Sequence, residues 1–223
     1  MNPGDISVVI PALNEEDAIG CCIQSAFAAG AVEVIVADGG SQDATEIRAA
    51  EAGATKVIRS LPGRGTQLNS GATFASKDYV LFLHADNLLG ESCLRQICEL
   101  SDPVWGAFRQ RVDSPRFAFR LLEWGNNLRV KWRGVPFGDQ AIFVHRRVYK
   151  AQGGFDEIPL MEDVRFSKLM RKVSRPILLD GPITICPRRW QKHGVVRQTL
   201  QNWKIQVAHA VGVSPERLRE WYR

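Results

Sequence analysis

Four short polar segments of this sequence carry side chains that could bind a ligand, and each follows an apolar stretch. The clearest is "HAD", where an apolar run from Val80 to Leu83 ends in His84 and Asp86. A single carboxylate at such a place can help to hold a divalent cation that also binds phosphate oxygens. The same pair also fits a strand end with a capping Asp and a packed His. The other three segments read "PALNEE", "ADGGSQD" and "LPGRGTQLN".

Asp38 and Arg64 are the candidate groups in two of these segments. Asp38 precedes two glycines, so its carboxylate could accept hydrogen bonds from a base or ribose, or could cap the turn. The segment "GRGTQLNSG" is neither a phosphate-binding P-loop nor the GxGxxG dinucleotide fingerprint. We interpret it as a flexible turn, whose Arg64 could pair with a diphosphate, reach a nucleobase or face solvent.

The second half of the chain holds two further candidate segments. "MED" places Glu162 and Asp163 at a predicted helix start, where acids either complement the helix dipole or supply a general base. "CPRRWQKHG" could hold phosphates and provide a late metal ligand, or it could be a basic surface loop with its tryptophan in the core. Its candidate residues are Arg188, Arg189, Trp190 and His193.

Strands and helices alternate through the part of the chain that must position these groups. The runs "ISVVIPAL", "VEVIVADG", "TKVIRS" and "YVLFLHAD" predict buried strands. Helices are predicted between them, one over "NEEDAIGCCIQSAFAAG", one with Ser41 as N-cap, and one over about Thr66 to Ser76. The alternation predicts an α/β fold with right-handed βαβ units and a mostly parallel sheet flanked by helices. Ligands bind at the carboxyl ends of such strands, so the polar segments should converge.

The alternation weakens after Pro103, and the second half reads as an elaboration of the same sheet. We predict strands at "VWGAFRQRV" and "QAIFVHRRVY". "PRFAFRLLEWGNNLRVKWR" predicts a basic amphipathic helix that either packs on the sheet with its arginine stems extended or lies on an anionic membrane. The C-terminal "VVRQTLQNWKIQVAHAVGV" poses the same choice and could instead form a dimer interface.

Length and composition narrow the class of protein. The 223 residues, 45% of them hydrophobic, predict one domain over residues 1–223 with no linker. No apolar run reaches the roughly 20 residues of a spanning helix and no leader-like segment is visible, which favours a soluble cytoplasmic protein. Five cysteines without a CxxC pair argue against a disulfide framework and a structural zinc site. The net charge of +5 fits a nucleic acid, an anionic membrane or a phosphorylated small molecule as partner.

Four of these motifs, in this order, resemble those of the family 2 glycosyltransferases, whose GT-A fold opens with a Rossmann-like half. "VVIPALNEE" resembles the opening strand and PxxNE turn, and "VIVADGGSQDAT" resembles the second-strand signature. "VLFLHAD" resembles the strand that ends in the DxD motif, and "GGFDEIPLMEDVRFSKLMRK" resembles the acceptor-side segment with its ED pair. The order and spacing match over about residues 5–175, and the tail resembles that of small single-domain bacterial members.

The resemblance implies a role for each matched position. Asp86 would hold Mn²⁺ or Mg²⁺ on the diphosphate, Asp163 would be the general base, and Glu162 would shape the acceptor side. His84 stands where the family has the first acid of DxD, and His193 could compensate as a C-terminal metal ligand. The implied nucleotide-sugar pocket consists of Pro11, Asn14, Glu15, Asp38 facing the base, Arg64, His84, Ala85, Arg188, Arg189 and Trp190.

The expected activity is therefore inverting transfer of a sugar from a UDP- or GDP-linked donor to an acceptor hydroxyl. Residues 1–103 would form the nucleotide-sugar half and residues 104–223 the acceptor half. The acceptor could be lipid-linked or a small molecule, and the positive charge needs no nucleic acid because a diphosphate also attracts it. Two alternatives remain open, a sugar nucleotidyltransferase and a non-catalytic module that binds nucleotides or membranes. The turn "PALNEE" lacks the glycines and the basic residue that a nucleotidyltransferase needs.

Overall fold

One eight-stranded sheet forms the centre of the protein in a computed structural model that describes residues 1–187, 190 and 194–222. Arg188, Arg189 and His193, three predicted site residues, lie outside the described residues. In chain order the strands are β1 (Ile6–Ala12), β2 (Glu33–Asp38), β3 (Lys56–Arg59), β4 (Tyr79–Phe82), β5 (Asn87–Leu89), β6 (Trp105–Val112), β7 (Phe143–His145) and β8 (Ile177–Ile185).

The sheet has the strand order β3-β2-β1-β4-β7-β6-β8-β5. Strands β1 to β4 are parallel neighbours, and β6 pairs in parallel with β8, whereas β7 and β5 run antiparallel to their partners. The predicted α/β class with a mostly parallel sheet is thus confirmed. The antiparallel β7 joins the two parallel parts, so strands from both halves of the chain share one sheet.

Helices cover both faces of the sheet because alternate strand residues enter two separate cores. On β1, Val8 and Ile10 pack with helices α1 and α4, while Val9 packs with α3, α6 and α7. The helices are α1 (Ile19–Ala28), α2 (Thr45–Glu51), α3 (Arg64–Phe74), α4 (Cys93–Cys98), α5 (Phe117–Arg133), α6 (Arg146–Ala151), α7 (Glu162–Val173), α8 (Val195–Ala210) and α9 (Pro215–Tyr222).

The register of the parallel strands brings their carboxyl ends to one edge. Ala12 of β1 pairs with Asp38 of β2, and Asp38 pairs with Arg59 of β3. The predicted convergence of the strand ends follows from this alignment. No helix in the described part of the chain is long and apolar enough to cross a membrane.

Three predicted element boundaries were wrong. The helix after β2 begins at Thr45 with Ala44 as its N-cap, because the Ser41 hydroxyl is used by Asp38 instead. The helix after β1 begins only at Ile19. The strand predicted over "QAIFVHRRVY" stops at His145, whose side chain accepts a hydrogen bond from the Arg147 N–H and so caps α6.

The prediction of a flexible turn over "GRGTQLNSG" is also wrong, because this segment forms the start of helix α3. Gly63, at φ +137°, precedes the helix, and Arg64 is its first residue. A Cβ on Gly71 would lie 2.4 Å from Val9 Cγ1, and a Cβ on Gly65 would lie 2.3 Å from the Asp156 carbonyl oxygen. These glycines therefore allow α3 to pack closely on the sheet and on the loop that precedes α7.

Candidate active site

A cavity of about 910 Å³ opens where β1, β4 and α3 meet the loop that precedes α7. Helices α5 and α8 contribute further residues to its wall, so it lies between the two halves of the chain. Nine of the predicted site residues line it, which places most of the predicted groups around one volume. They are Pro11, Asn14, Glu15, Arg64, His84, Ala85, Asp86, Asp163 and Trp190.

The turn after β1 is fastened to the loop after β2 by reciprocal hydrogen bonds. The Asn14 N–H donates to Ser41 Oγ at 2.9 Å, and the Gln42 N–H donates to Asn14 Oδ1 at 2.8 Å. The Glu15 N–H donates to Thr45 Oγ1 at 2.8 Å. These bonds fix the turn at the cavity edge. Asn14 and Glu15 of "PALNEE" therefore have a structural role in the turn, in addition to any contact with a ligand.

Asp38 performs the turn-capping role that the sequence left as an alternative. Its side chain is fully buried, and Oδ1 accepts hydrogen bonds from the N–H groups of Gly40 and Ser41, both at 2.8 Å. The Ser41 hydroxyl donates to Oδ2. Asp38 does not line the cavity, so in this structure its carboxylate shapes the loop behind the site rather than facing a base.

His84 and Asp163 approach each other at Gly138. The Gly138 N–H donates to Asp163 Oδ2 at 2.7 Å, and the Val164 N–H donates to Asp163 Oδ1 at 2.7 Å. A Cβ on Gly138 would lie 2.6 Å from His84 Nε2 and 3.3 Å from Asp163 Oδ2. The His84 imidazole therefore lies close to the Asp163 carboxylate, with Gly138 between them, and a side chain at position 138 would collide with His84.

Asp86 has surroundings that fit a cation shared with a ligand rather than one enclosed by protein. It is partly exposed on the cavity wall. Within residues 1–187, 190 and 194–222, no three His, Cys, Asp or Glu side chains are grouped closely enough to hold a metal ion. Magnesium and manganese sites at phosphates need only one or two carboxylates, because phosphate oxygens and waters complete the shell. Burial raises the pKa of the Cys22 thiol, and the nearby carboxylates of Asp86 and Glu15 raise it further.

Glu162 and Arg64 form an ion pair behind the cavity wall. Arg64 Nε lies 2.6 Å from Glu162 Oε1, and the Glu162 side chain is 1% exposed. Burial raises the pKa of Glu162, Arg64 opposes the rise, and Asp163 adds to it. Burial alone would lower the pKa of Arg64, but Glu162 and Asp163 outweigh it and the pKa is raised. Glu162 does not itself line the cavity, so it acts on the site through the guanidinium that it holds.

Backbone with positive φ occurs at the cavity wall and next to it. Asn14, Ala141 and Met161 have φ values of +55°, +48° and +71°, a region that residues other than glycine seldom occupy. Asn14 and Met161 line the cavity, and Ala141 follows a polar turn that does. Such strain is retained where the surrounding structure requires it, and it clusters at functional sites.

Sequence reasoning missed a polar group on the cavity wall that comprises Asn87, Gln110 and Asp139. Burial raises the pKa of Asp139 to about 6, whereas Arg129 and a side-chain interaction with Gln110 act to lower it. Gln110 lies between Arg109 and Arg111 in strand β6, and alternation places it on the same side of the strand as the apolar Phe108 and Val112, a pattern that could have revealed it. Asp139 lies in "GDQ", a polar triplet that directly precedes the apolar "AIFV", whereas "HAD" ends an apolar run.

Trp190 lies at the cavity and also packs against the core, so it fits both predictions for its segment, a ligand-binding role and a tryptophan packed in the core. It lines the cavity, and its ring packs edge-on against Phe119 at a centroid distance of 5.8 Å. The predicted phosphate contacts of Arg188 and Arg189 and the predicted metal contact of His193 lie outside the described residues and stay predictions.

Comparison with known proteins finds relatives that match part of this chain. Glucosyl-3-phosphoglycerate synthase of Mycolicibacterium paratuberculosis is 45% identical over 92 residues, which cover 36% of this chain and 28% of that protein. The counterpart from Mycolicibacterium smegmatis is 39% identical over 92 residues and is covered to 30%. The match thus spans less than a third of the length of these relatives.

Solved structures with the same fold are more distant in sequence. The structure of residues 1–349 of S. aureus TarS has a TM-score of 0.63 at 20% identity, covering 84% of this chain and 61% of that one. Glucosyl-3-phosphoglycerate synthase from Mycobacterium tuberculosis, in complex with Mn²⁺, UDP and phosphoglyceric acid, has a TM-score of 0.57 at 21% identity, covering 81% and 68%. These likenesses confirm the predicted GT-A fold. Residues 7–172 match the family described as Glycosyl transferase family 2, and the protein belongs to that family.

Proposed function

We propose that this protein transfers a sugar from a UDP- or GDP-linked donor to an acceptor hydroxyl, with inversion at the anomeric carbon and with Mn²⁺ or Mg²⁺ as cofactor. The observation that carries the proposal is the cavity in which Asp86 and Asp163 both lie, at the carboxyl ends of the parallel strands. A similar fold binds Mn²⁺ and UDP in the mycobacterial synthase, which supports the choice of donor and cofactor.

Asp86 is the residue that we propose to bind the cation. A bound divalent ion would offset the charge that develops on the leaving diphosphate. His84 stands on the same loop, but its position beside Gly138 and Asp163 favours a contact with substrate over a place among the metal ligands.

Asp163 is the proposed general base. Both of its oxygens accept a backbone N–H, which fixes the carboxylate, and each retains a lone pair for a substrate proton. As the acceptor oxygen bonds to the anomeric carbon, the bond from that carbon to the diphosphate breaks, and the acceptor proton passes to Asp163. Glu162 holds Arg64 at the cavity wall, where the guanidinium can pair with the leaving diphosphate.

The two halves of the chain would divide the substrates between them. Strands β1 to β4 and their turns lie within the proposed nucleotide-sugar half, residues 1–103, and supply most of the predicted nucleotide contacts. Helices α5, α7 and α8 lie within residues 104–223 and form the wall that would face the acceptor.

We also propose that helix α5 touches an anionic lipid surface. The predicted helix is confirmed, and it buries Phe119 and Val130 while a second apolar face stays open to solvent. Exposed cationic side chains lie on either side of this face, and their positive charge complements anionic lipid headgroups. The open apolar residues are Phe117, Leu121, Trp124 and Trp132, and the exposed cations are Arg116, Lys131 and Arg133.

Sedimentation with lipid vesicles tests this surface. We expect the protein to sediment with vesicles that contain phosphatidylglycerol and not with pure phosphatidylcholine vesicles, and Trp124→Ser to weaken the interaction. Equal sedimentation with both would contradict the role of charge. A stable dimer in solution that Trp124→Ser dissociates would instead assign the face to a second copy of the chain.

A donor-hydrolysis screen tests the proposed activity without knowledge of the acceptor. The protein is incubated with common nucleotide sugars and with Mn²⁺, Mg²⁺ or chelator, and the released nucleoside diphosphate is measured. We expect metal-dependent release from at least one donor. Pyrophosphate release from a nucleoside triphosphate would support the nucleotidyltransferase alternative, and nucleotide binding without any turnover would support the non-catalytic one.

A further inference from the structure

Four buried polar atoms that belong to cavity-lining residues form no hydrogen bond within the part of the chain that the structure describes. Three belong to the polar group on the wall, and they are Asn87 Oδ1, Gln110 Nε2 and Asp139 Oδ1. The fourth is Trp190 Nε1. Buried polar atoms in folded proteins are nearly always paired, so four unpaired atoms around one cavity indicate that a ligand or bound water pairs with them.

The other ends of these side chains are fixed by the protein. Asn87 Nδ2 donates to the Asp139 carbonyl oxygen at 3.2 Å, and Gln110 Oε1 accepts from Asn126 Nδ2 at 2.7 Å. Asn126 Oδ1 in turn accepts from Arg129 Nη1 at 2.9 Å. Asn87 thus has one end bonded to protein and the other end unpaired, and the Gln110 side chain, held by Asn126, also interacts with the Asp139 carboxylate. The three side chains are therefore held in place, which is the preorganisation expected of a binding site.

The unpaired atoms suit hydroxyl groups. Two are donors, on Gln110 and Trp190, and two are acceptors, on Asn87 and Asp139. A hydroxyl both donates and accepts, whereas a phosphate or carboxylate oxygen accepts only. A ligand with several hydroxyl groups can therefore satisfy these donors and acceptors at once, which phosphate or carboxylate oxygens alone cannot do.

The part of the cavity wall that the structure describes carries a surplus of negative charge, which disfavours an anionic acceptor beside it. Among the described residues, five carboxylates and two guanidinium groups line the cavity, and one of the guanidinium groups is already paired with Glu162. A bound cation would be balanced by the diphosphate of the donor, so the surplus of negative charge would remain. The carboxylates are Glu15, Asp86, Asp139, Glu157 and Asp163, and the guanidinium groups are Arg64 and Arg219.

We propose that Asn87, Gln110 and Asp139 form a subsite for the hydroxyl groups of an uncharged, sugar-like acceptor. The subsite adjoins the proposed base, because Asp139 follows Gly138, whose N–H holds Asp163. This assignment rests on the proposed function, and it separates the protein from the mycobacterial synthase, whose structure contains the anionic phosphoglyceric acid.

Binding of known small molecules tests the subsite independently of turnover. The protein is loaded with UDP and Mg²⁺, and saturation-transfer NMR is recorded with methyl α-glucopyranoside, methyl α-mannopyranoside, 3-phosphoglycerate and glycerol 3-phosphate. We expect a neutral glycoside to bind and the two phosphates not to displace it. Stronger binding of either phosphate, or no binding of any neutral glycoside, would overturn the proposal.

Variants then locate the binding. Gln110→Leu and Asp139→Asn each remove or alter one hydrogen-bonding atom at nearly constant size, and we expect each to weaken glycoside binding about tenfold while the UDP affinity changes less than about twofold. Glu157→Gln is the control, because it removes the same charge from an exposed side chain at the cavity rim.

Two results would contradict the assignment of these residues. Unchanged glycoside binding in both Gln110→Leu and Asp139→Asn would exclude them from the subsite. A loss confined to the affinity for a nucleotide sugar would assign them to the donor. Failure of the proposed function itself would appear differently, as an absence of donor hydrolysis in the wild-type protein.

Discussion

Removal of Arg64 should destabilise the protein in a strongly pH-dependent way. Two unit charges about 4 Å apart interact by about 4 kcal/mol at an effective dielectric constant of about 20. The Arg64 side chain is 38% exposed, so solvent screening reduces the loss to about 2 kcal/mol at pH 8. The Arg64→Met variant would leave Glu162, which is 1% exposed, as a buried charge without its cation.

The direction of the pH effect follows from Glu162. Its pKa is already raised by burial, and loss of Arg64 would raise it further. A carboxyl group with a raised pKa in the folded state favours folding while it is protonated, and that contribution is lost as the pH rises through the folded-state pKa. The destabilisation of Arg64→Met should therefore be small at pH 5 and complete at pH 8.

Urea unfolding at both pH values measures this effect. The double variant Arg64→Met, Glu162→Gln should regain most of the stability at pH 8, because neither of these two positions then carries a charge. Arg59→Met is the control, since Arg59 is 83% exposed in its pair with Glu46 and should contribute less than about 1 kcal/mol. An Arg64→Met variant that is equally destabilised at pH 5 and pH 8, or a double variant that is no more stable, would refute the reasoning.

Two further predictions concern glycines. Gly138→Ala places a Cβ 2.6 Å from His84 Nε2, so donor hydrolysis should fall about tenfold with little change in melting temperature. Unchanged hydrolysis would show that the close approach of His84 and Asp163 is not needed for activity. Gly71→Ala places a Cβ 2.4 Å from Val9 Cγ1 in the core and should lower the free energy of unfolding by about 2 kcal/mol. Gly125→Ala, with no atom within 4 Å, should raise it by about 0.5 to 1 kcal/mol, and a reversed order of these two variants in urea unfolding would contradict the packing argument.

The fold and the general place of the site could be predicted because both depend on local patterns. Apolar runs such as Ile6–Ala12 identify strands that are buried on both faces, and parallel strands bring their carboxyl ends together. The strand pattern places Asp86 at such an end, and the family resemblance adds Asp163, 77 residues further along the sequence; both residues line the cavity.

Other parts depend on contacts between distant segments, which no local pattern reveals. The sequence pattern assigns Gly65 and Gly71 to a turn segment, but both lie in helix α3, where they allow close contact with the loop before α7 and with β1. Asp38 resembles a ligand-facing carboxylate, yet it is fully buried and accepts three hydrogen bonds from the loop that it caps. The polar group on the wall is assembled from β5, β6 and the turn before β7, so Asn87, Gln110 and Asp139 could be found only once the sheet order was known.

Calorimetric titration of UDP and GDP tests the central claim most directly, which is that the cavity binds a nucleoside diphosphate through a divalent cation at Asp86. For the wild-type protein we predict binding of at least one nucleotide in the presence of Mn²⁺ or Mg²⁺ and much weaker binding with chelator. Asp86→Ala should lose the metal-dependent binding, whereas Asp163→Asn should retain it and lose only transfer. Metal-independent binding, or full metal-dependent binding by Asp86→Ala, would contradict the account.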